Sequence, residues 1–298
     1  LDFSTHPTRH LRSPLARFQD EIIMTAPRPL NSTQELKTFK DVREVWDLTY
    51  PDFVGAIGQE NCPPGAMTTI RTWIDIGAIG ADSHVLDLAC STGFSSRRLA
   101  KLAECSSEGL DLSAIAIQNG RVLAEKDGVA DKTSYQVGDA CQLPYQSDSF
   151  SHAVAGCCFG FIQNREQALR EVARVLQPKG RLCIAYLAYR SEPPTELIDK
   201  VERCVGYRPD PIRTEAFWNK FFGEHFTLVD EHPQDSKIHS DEEIIASAAQ
   251  TIQANSELCQ LDEDIIEAVF QRLARDRLIF NDHRAYQRSA IQIWERGG

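Results

Sequence analysis

Apolar and polar positions along the chain alternate with two periods, one typical of strands and one typical of helices. Short apolar runs such as HVLDLA, HAVAGCCFGFI and RLCIAYLAY predict buried strands, whereas GFSSRRLAKLA and SAIAIQNGRVLAEKDG carry apolar residues at helical spacing. Between residues 84 and 189 the two kinds of segment follow one another regularly. This alternation predicts an α/β fold, a Rossmann-like, doubly wound and mostly parallel sheet with helices on both faces.

Amphipathic patterns flank this central region. Before it, LKTFKDVREVWDLTYPDFVG predicts a helix that ends at Pro51, and AMTTIRTWIDIGAI predicts a helix that stops at Gly80. After it, the helical patterns SDEEIIASAAQTIQANSE and DEDIIEAVFQRLARDRLIF stand between the last two predicted strands, FTLVDEH and AYQRSAIQIWE. We expect a single domain over residues 39–298, with a helical cap at 39–80 and a helical insertion at 233–283 that we interpret as a lid.

Residues 1–38 are expected to be a flexible tail. The part before Met24 is polar and basic, and MTAPRPLN has the pattern of an ordinary start. The hypothesis is that residues 1–23 are vector sequence, upstream read-through or a trimmed leader. A transit peptide is the rival interpretation, and the acidic residues Asp2, Asp20 and Glu21 count against it.

Composition restricts the partners and the location. The chain has 32 basic and 43 acidic residues and a net charge of −11, which disfavours nucleic-acid binding. Its apolar runs fall short of the ~20 residues that a membrane helix needs. The 9 cysteines lie mostly in apolar segments without the spacing of a metal or disulfide framework. We expect a cytoplasmic protein with no membrane span and no bound metal.

The turn after the first strand, in VLDLACSTG, is the first candidate for chemistry. Ligands of open α/β sheets bind beyond the carboxyl ends of the strands, and Ala89, Ser91 and Gly93 are small enough for the backbone to approach one. Asp87 ends the apolar run. Its carboxylate either holds the loop or binds a cationic group.

Two further acids follow the next two strands. Asp111 ends GLDL, where an acidic side chain would accept both ribose hydroxyls of a nucleoside; the alternative is a helix N-cap, a role that Ser113 already fills. Asp139 in VGDA could accept from the amino group of adenine or be an ordinary loop carboxylate. Acids at three successive strand ends, without GxGxxG or GKS/GKT, predict an adenosine site that has no phosphate-binding loop.

These segments resemble the class I S-adenosylmethionine-dependent methyltransferases, in particular the branch of ubiquinone and small-molecule methyltransferases. VLDLACSTG matches the family's nucleotide loop, GLDLS its strand-two acid, GDACQLPYQSDSF its adenine segment, and EVARVLQPKGRL the helix and turn before strand five. The resemblance covers Val85 to Leu187. It implies methyl transfer from S-adenosylmethionine to a small apolar or aromatic metabolite, as in secondary metabolism, with S-adenosylhomocysteine as product and O, N or C as the accepting atom.

The resemblance also implies the residues that contact the cofactor. They are Tyr50, Asp87, Ala89, Cys90, Ser91, Gly93, Asp111, Leu112, Asp139, Ala140 and Cys157. The chain departs from the family at Ala89 and Ser91, where glycines are usual, and in PKG, where PGG is commoner. Both departures are compatible with cofactor binding.

The acceptor wall is expected at the ends of strands four and five and in the cap. Phe159, Arg190 and Trp46 are the candidate wall residues, with core packing as the alternative for Trp46. Tyr186, Tyr189 and His232 are the candidate catalytic residues, which would position the acceptor or remove its proton. A sulfonium methyl is already activated, so positioning and exclusion of water are the main requirements.

His232 and His239 flank the insertion and could reach the site. His152, His225 and His283 precede or open strands, and we expect them at the surface or at an edge.

Other functions remain open at this point. A non-catalytic cofactor-binding or assembly protein could keep the fold and use the long helices as an interface, including one between two copies of the chain. Methylation of nucleic acid or protein is disfavoured by the acidic balance and by the lack of an NPPY or DPPY segment. A dinucleotide oxidoreductase is disfavoured by the missing phosphate-loop glycines.

Overall fold

The computed structural model describes residues 36–234 and 237–297 of the chain. Seven strands in this part of the chain form one sheet. The strands are β1 (His84–Leu88), β2 (Ser106–Asp111), β3 (Thr133–Val137), β4 (Phe150–Gly156), β5 (Leu176–Tyr189), β6 (Phe226–Gln234) and β7 (Gln287–Arg296). Their order across the sheet is β3-β2-β1-β4-β5-β7-β6. Of the expected tail, residues 1–35 lie outside the described residues, while Leu36 is buried and the Lys37 amide donates to Asn119 Oδ1 at 2.8 Å.

The sheet is parallel except at one edge. Strands β1 to β5 pair in parallel, and β7 runs antiparallel to both β5 and β6. Strand order reverses between β1 and β4, so the crevice for a ligand lies beyond the carboxyl ends of these two strands. The prediction of a doubly wound, mostly parallel Rossmann-like sheet is confirmed.

Helices cover both faces of this sheet. They are α1 (Val42–Asp47), α2 (Tyr50–Ala56), α3 (Met67–Asp75), α4 (Phe94–Ala103), α5 (Ala114–Asp127), α6 (Arg165–Val175), α7 (Thr195–Val205), α8 (Glu215–Phe222), α9 (Asp241–Gln253) and α10 (Glu263–Arg284). Within the described ranges, no helix is both long and apolar enough to cross a bilayer.

The strand residues divide between two cores because successive side chains point to opposite faces. On β1, Leu86 and Leu88 pack with α6 and α8, whereas Val85 packs with the Trp73 side of α3 and with Phe94 of α4. All three β1 side chains are at most 1% exposed. The buried cores therefore hold the carboxyl ends of the strands in fixed positions.

The helical cap differs from its prediction at Pro51. We expected one helix ending at this proline, but the chain breaks at Leu48 and α2 starts at Tyr50, with Pro51 in its first turn. A proline there sacrifices no helical hydrogen bond, and the Thr49 side chain accepts from the amide of Asp52. The helix expected to stop at Gly80 ends earlier, at Asp75.

The insertion between the last two strands consists of α9 and α10. A capping box between Ser240 and Glu243 begins α9. The apolar faces of both helices pack on the cap, where Val45 and Phe53 are 0% exposed. The apolar stripes that we considered for an interface thus bury much of their surface within the chain.

The end of β4 also differs from its prediction. The run HAVAGCCFGFI was expected to be one strand, but β4 stops at Gly156. Cys157 adopts a left-handed conformation with φ 69°, and a short 3₁₀ helix covers Cys158–Gly160. The chain turns here because Cys157 donates its amide to Ala185 of β5. This turn carries Phe159 and Phe161 over the end of the sheet.

Candidate functional site

The turn between β1 and α4 is built from small residues in unusual backbone conformations. Ala89, Ser91 and Gly93 all have positive φ, of 53°, 50° and 76°. Gly93 has no alternative, since a Cβ there would lie 2.5 Å from the ring of Tyr135. For Ala89 and Ser91 the left-handed conformation costs roughly 1–2 kcal/mol each. The two departures from the family's glycines are therefore accommodated with strain in the turn.

Asp111 joins this turn to the end of β2. Its two carboxylate oxygens accept from the amides of Ser91 at 2.9 Å and Ser113 at 2.8 Å. Ser113 caps α5 by accepting from the Ala116 amide, so the capping role that we weighed for Asp111 belongs to Ser113. Each Asp111 oxygen keeps a further acceptor position. Burial raises the pKa of Asp111, while its backbone hydrogen bonds lower it.

Asp87 is buried below the turn and 3% exposed. It accepts from the amide of Ser96 at 2.9 Å and thereby holds the first turn of α4. Burial raises the pKa of Asp87 to about 7, against the effect of that hydrogen bond. Of the two roles considered for Asp87, this geometry displays the loop-holding one.

Apolar side chains flank the acids at the same edge of the sheet. Leu112 is 72% exposed and Val137 is 53% exposed, beside Asp139, whose Oδ1 accepts from the Cys141 amide. Large exposed apolar groups at strand ends match the flat face of a purine. In contrast, the Cys90 side chain belongs to the core, and Ala140 is also buried.

Cys90 is occupied within the turn itself. Its amide donates to Leu110, its carbonyl accepts from Gly93, and burial raises the pKa of its thiol well above the usual value. The side chain is therefore an inert packing group. A contact between Cys90 and the cofactor stays a prediction.

The carboxyl ends of β4 and β5 open into a cavity of about 710 Å³, which we call the main cavity. The cap and the insertion form its other walls. Among its lining residues are Tyr50, Cys157, Phe161, Leu187, His239, Phe280, His283, Arg284 and Gln287. A neighbouring cavity of about 350 Å³ between α2, α9 and α10 shares Tyr50, His239 and Arg284 with it.

A third cavity of about 70 Å³, the aromatic cavity, lies over β5 beside the main cavity. Tyr186, Tyr189, Phe159 and Cys157 all line it, which brings four of the sequence-predicted residues together. The Tyr186 hydroxyl donates to Glu231 Oε1 at 3.3 Å and accepts from Gln292 at the same distance. Burial, followed by the charge of Glu231, raises the pKa of Tyr186.

Of the residues predicted to contact the cofactor, only Tyr50 and Cys157 line these cavities. Of those predicted for the acceptor wall or for catalysis, Trp46, Arg190 and His232 line none of them. Trp46 is 40% exposed and its ring centroid lies 5.1 Å from the Arg275 guanidinium. Arg190 is exposed and donates to the Ala285 carbonyl. His232 lies on β6, 3.6 Å from Asp230. The structure does not bring these three side chains to the cavities.

Two histidines that we expected at the surface or at an edge are buried, and that expectation is wrong. His283 is 7% exposed, and its Nε2 lies 2.8 Å from the Tyr189 hydroxyl at the border of the main and aromatic cavities. Burial, with a smaller effect of Arg213, lowers the pKa of His283 to about 4. His152 is 8% exposed and its Nε2 lies 3.0 Å from the Gly77 carbonyl.

Sequence reasoning also missed the basic groups of the site. Arg213 lines the aromatic cavity, and Arg284 and Lys237 line the main cavity. His239 lines the main cavity with its Nδ1 3.3 Å from Glu243 Oε2. No motif marks Arg213, Arg284 or Lys237, whereas His239 was already expected to reach the site because it flanks the insertion.

Gln59 connects the two halves of the site. Its carbonyl accepts from the Thr92 hydroxyl of the β1–α4 turn, and its side chain accepts from Arg277 of α10 at 2.9 Å. Gln59, which follows α2 in the chain, therefore contacts both the turn and the insertion.

Metal and disulfide chemistry have no visible basis in the described part of the chain. There, no three His, Cys, Asp or Glu side chains are grouped as metal ligands. The 9 cysteines are all free, and loss of solvation is the first cause of the raised thiol pKa values of Cys90, Cys157, Cys158 and Cys183.

Comparisons with known proteins point to one family. Residues 86–184 match the family model of a methyltransferase domain. The chain is 34% identical over 112 residues to methyltransferase GfsG of Streptomyces halstedii, covering 38% of this chain and 40% of that protein. It is 33% identical over 146 residues to the demethylmenaquinone methyltransferase of Lactiplantibacillus plantarum, covering 48% and 60%. The matches thus span about half the length of these relatives.

A solved structure extends the similarity well beyond that segment. The crystal structure of MccD protein is 38% identical, superposes with a TM-score of 0.67, and covers 79% of this chain and 100% of its own. The similarity therefore reaches past residues 86–184 into flanking parts of the chain.

Proposed function

The chain belongs to the class I S-adenosylmethionine-dependent methyltransferases, and from that premise we propose that it methylates a small molecule bound in the main and aromatic cavities. The observation that carries the proposal is Asp111. This buried carboxylate accepts from the Ser91 amide of the β1–α4 turn and from the Ser113 amide at the start of α5. It stands at the strand end where the family binds its cofactor's ribose.

The residues present fit S-adenosylmethionine. Asp111 has a free acceptor position on each oxygen, enough for two ribose hydroxyls. Leu112 and Val137 offer exposed apolar surface for the purine, and Asp139 offers an exposed carboxylate for its amino group. The small residues of the turn allow close approach of the backbone to the amino-acid end. Tyr50 and Cys157, which line the main cavity, would border the same ligand on its other side.

When bound, S-adenosylmethionine supplies a methyl group activated by its sulfonium charge. The task of this chain's residues is then to hold the accepting atom in line and to exclude water. The cap and insertion close over the carboxyl edge, and aromatic rings form the floor beside β5. The aromatic cavity favours an apolar or aromatic part of the acceptor.

The tyrosines of the site are suited to positioning. Burial raises the pKa of Tyr50 and of Tyr189 to about 12, so both hydroxyls stay protonated at neutral pH. The Tyr189 hydroxyl and His283 Nε2 share a hydrogen bond of 2.8 Å, which fixes the direction of the hydroxyl. If an acceptor must lose a proton, His239 is the better base, because it lines the main cavity beside a carboxylate, Glu243.

Isothermal titration with S-adenosylhomocysteine tests the foundation of this proposal. We expect the wild type to bind, and Asp111→Ala to lose about 1–3 kcal/mol, because ribose hydroxyls would be left without their partner. Asp131→Ala, an exposed aspartate in the loop before β3, is the matched control and should bind like the wild type. Absence of binding by the wild type, or unaltered binding by Asp111→Ala, would contradict the proposal.

A second measurement addresses turnover. Labelled S-adenosylmethionine is incubated with the protein and a metabolite extract, and mass analysis identifies the compound that gains a methyl group. A labelled small molecule is the expected result. Cofactor binding without any methylated product would instead favour the non-catalytic binding protein.

A further inference from the structure

The aromatic cavity contains an arginine, Arg213, that forms no ion pair with any residue in the described part of the chain. Arg213 is 5% exposed and lines the cavity together with Tyr189 and Trp218. None of the residues that line this cavity is acidic. A buried cation is normally paired, so its surroundings here call for an explanation.

The hydrogen bonds of Arg213 leave one edge of its guanidinium without a partner among the described residues. Nη1 donates to the Gly160 carbonyl at 2.5 Å, while Nε and Nη2 are buried and have no partner among the described residues. Nε and Nη2 lie on the same edge of the guanidinium plane. This is the pair of donors that binds the two oxygens of a carboxylate or phosphate side by side.

The surrounding structure holds the Arg213 side chain in place in spite of the free energy that burying its charge costs. The Arg213 carbonyl accepts from the Tyr189 amide at 2.9 Å, and its guanidinium lies 5.1 Å from the centroid of the Tyr207 ring. Burial, and next the charge of Arg165, lowers the pKa of Arg213 to about 10, so the side chain is still charged at neutral pH. Leaving such a charge unpaired is unfavourable, and an anionic ligand would relieve it.

The position of Arg213 separates it from the expected nucleoside. In sheet order, β2 with Asp111 is three strands from β5, beside which Arg213 lies. Three strand spacings amount to about 14 Å. The aromatic cavity shares Phe161, Leu187 and His283 with the main cavity, so a ligand can occupy both.

We propose that Arg213 binds an oxyanion of the methyl acceptor, a carboxylate or a phosphoryl group, and that the enzyme therefore selects anionic acceptors with an apolar or aromatic body. This inference rests on the proposed function and specifies its substrate class. The unpartnered Nε–Nη2 edge would provide the charge and the geometry for the oxyanion, and the rings of the aromatic cavity would contact the body of the acceptor.

The test compares matched acids and amides with the full chain saturated with S-adenosylhomocysteine. The probes are benzoate and benzamide, 3-phenylpropanoate and 3-phenylpropanamide, and hexanoate and hexanamide, with phenylphosphonate as the phosphoryl arm. Ligand-observed NMR titration gives each affinity. We expect at least one anion to bind about tenfold or more tightly than its neutral partner, and phenylphosphonate against benzoate distinguishes the two kinds of oxyanion.

Variants assign that preference to Arg213. Arg213→Met should lower the affinity for the preferred anion by about 30-fold or more and leave its amide unaffected. Arg213→Lys keeps the charge but loses the paired donors, so its affinity for the anion should lie between those of the wild type and Arg213→Met. It replaces the Met variant if that variant does not fold. Arg208→Gln, an exposed arginine paired with Asp199 and Glu202, is the control that should behave like the wild type.

Three outcomes would overturn the inference while sparing the proposed function. The first is that a wild type that binds S-adenosylhomocysteine binds every acid and its amide equally well. The second is that the preference for the anion survives in Arg213→Met. The third is that Arg213→Met lowers the affinity for S-adenosylhomocysteine about tenfold or more. The last would assign Arg213 to the cofactor's own carboxylate. Failure of the wild type to bind S-adenosylhomocysteine would contradict the proposed function itself.

Discussion

The two ends of the site are assembled from the chain in different ways. At the nucleoside end, Asp111 bonds to Ser113, 2 residues away, and to Ser91, 20 residues away. At the acceptor end, Tyr189 meets His283 across 94 residues, and Arg277 meets Gln59 across 218. The nucleoside end is thus formed by neighbouring strand–turn–helix units, whereas the acceptor end depends on the whole fold.

The two ends also differ in how their buried charges are satisfied. Asp87 and Asp111 accept from backbone amides that the local turns supply. Arg213 keeps two donors without partners in an otherwise uncharged lining. A cofactor that is the same throughout a family can be bound by one recurring local motif. An acceptor that differs between relatives requires side chains that no shared motif encodes.

The largest expected effect tests whether the acceptor end is as firmly packed as a core. Phe222 is 1% exposed and packs against Trp218, Phe159 and Trp294. Phe222→Ala should lower the free energy of unfolding by about 3–5 kcal/mol through the cavity it leaves, measured by denaturant titration. Phe161→Ala, with a side chain 52% exposed, should change it by no more than about 0.5 kcal/mol. A loss below about 1 kcal/mol for Phe222→Ala would mean that this wall repacks freely.

The next effect concerns the buried acid of the nucleoside end. The pKa of Asp87 is about 7 in the folded protein, above its ordinary value, because burial disfavours the charged form. The stabilising contribution of the protonated Asp87 carboxyl is therefore fully present below pH ~4, and it is lost as the pH rises to about 7. Asp87→Asn keeps an acceptor for the Ser96 amide but cannot ionise.

Denaturant titrations at several pH values test this point. Relative to the wild type, Asp87→Asn should gain about 2–4 kcal/mol of unfolding free energy between pH ~4 and ~7, with no further change above. Parallel pH profiles for the two proteins would show that Asp87 titrates in the folded state as it does in the unfolded chain.

The smallest effect separates the ends functionally. Tyr189→Phe removes the hydroxyl that faces His283 and should cost about 1 kcal/mol of unfolding free energy. It should leave the affinity for S-adenosylhomocysteine unchanged, because the hydroxyl lies at the acceptor end. Tyr186→Phe, whose hydroxyl bonds at 3.3 Å, is the matched comparison with a smaller expected cost. Weaker S-adenosylhomocysteine binding by Tyr189→Phe would show that the two ends overlap.

The sequence predicts the sheet and the nucleoside end because their signals are local. The run VLDLACSTG indicates both a buried strand and a turn of small residues, and Asp111 follows its own strand at the spacing that the family shares. The residues of this end are prefigured by their position after a strand. The last strand, β7, is likewise predicted from the segment AYQRSAIQIWE, although its antiparallel direction is not.

The acceptor end is less predictable for physical reasons. His283 precedes a strand, and that position indicates an edge, yet the packing of α10 against β5 buries it. Pro51 was interpreted as a helix end, although a proline serves equally well in a first turn. Neither Arg213 nor Arg284 lies in a periodic or motif context. Their roles appear only when distant segments meet.

The contacts of Gln59 imply that binding at one end of the site affects the other end. It accepts from Thr92 in the turn and from Arg277 in the insertion, so a displacement of either neighbour strains a shared support. If binding of the nucleoside shifts Thr92, the contact between Gln59 and α10 changes as well. Thermodynamic linkage then requires the acceptor to alter the affinity for the nucleoside by the same factor as the nucleoside alters that for the acceptor. Order of addition and cooperativity between the two ligands would thus depend on a single residue, through its backbone carbonyl on one side and its side chain on the other.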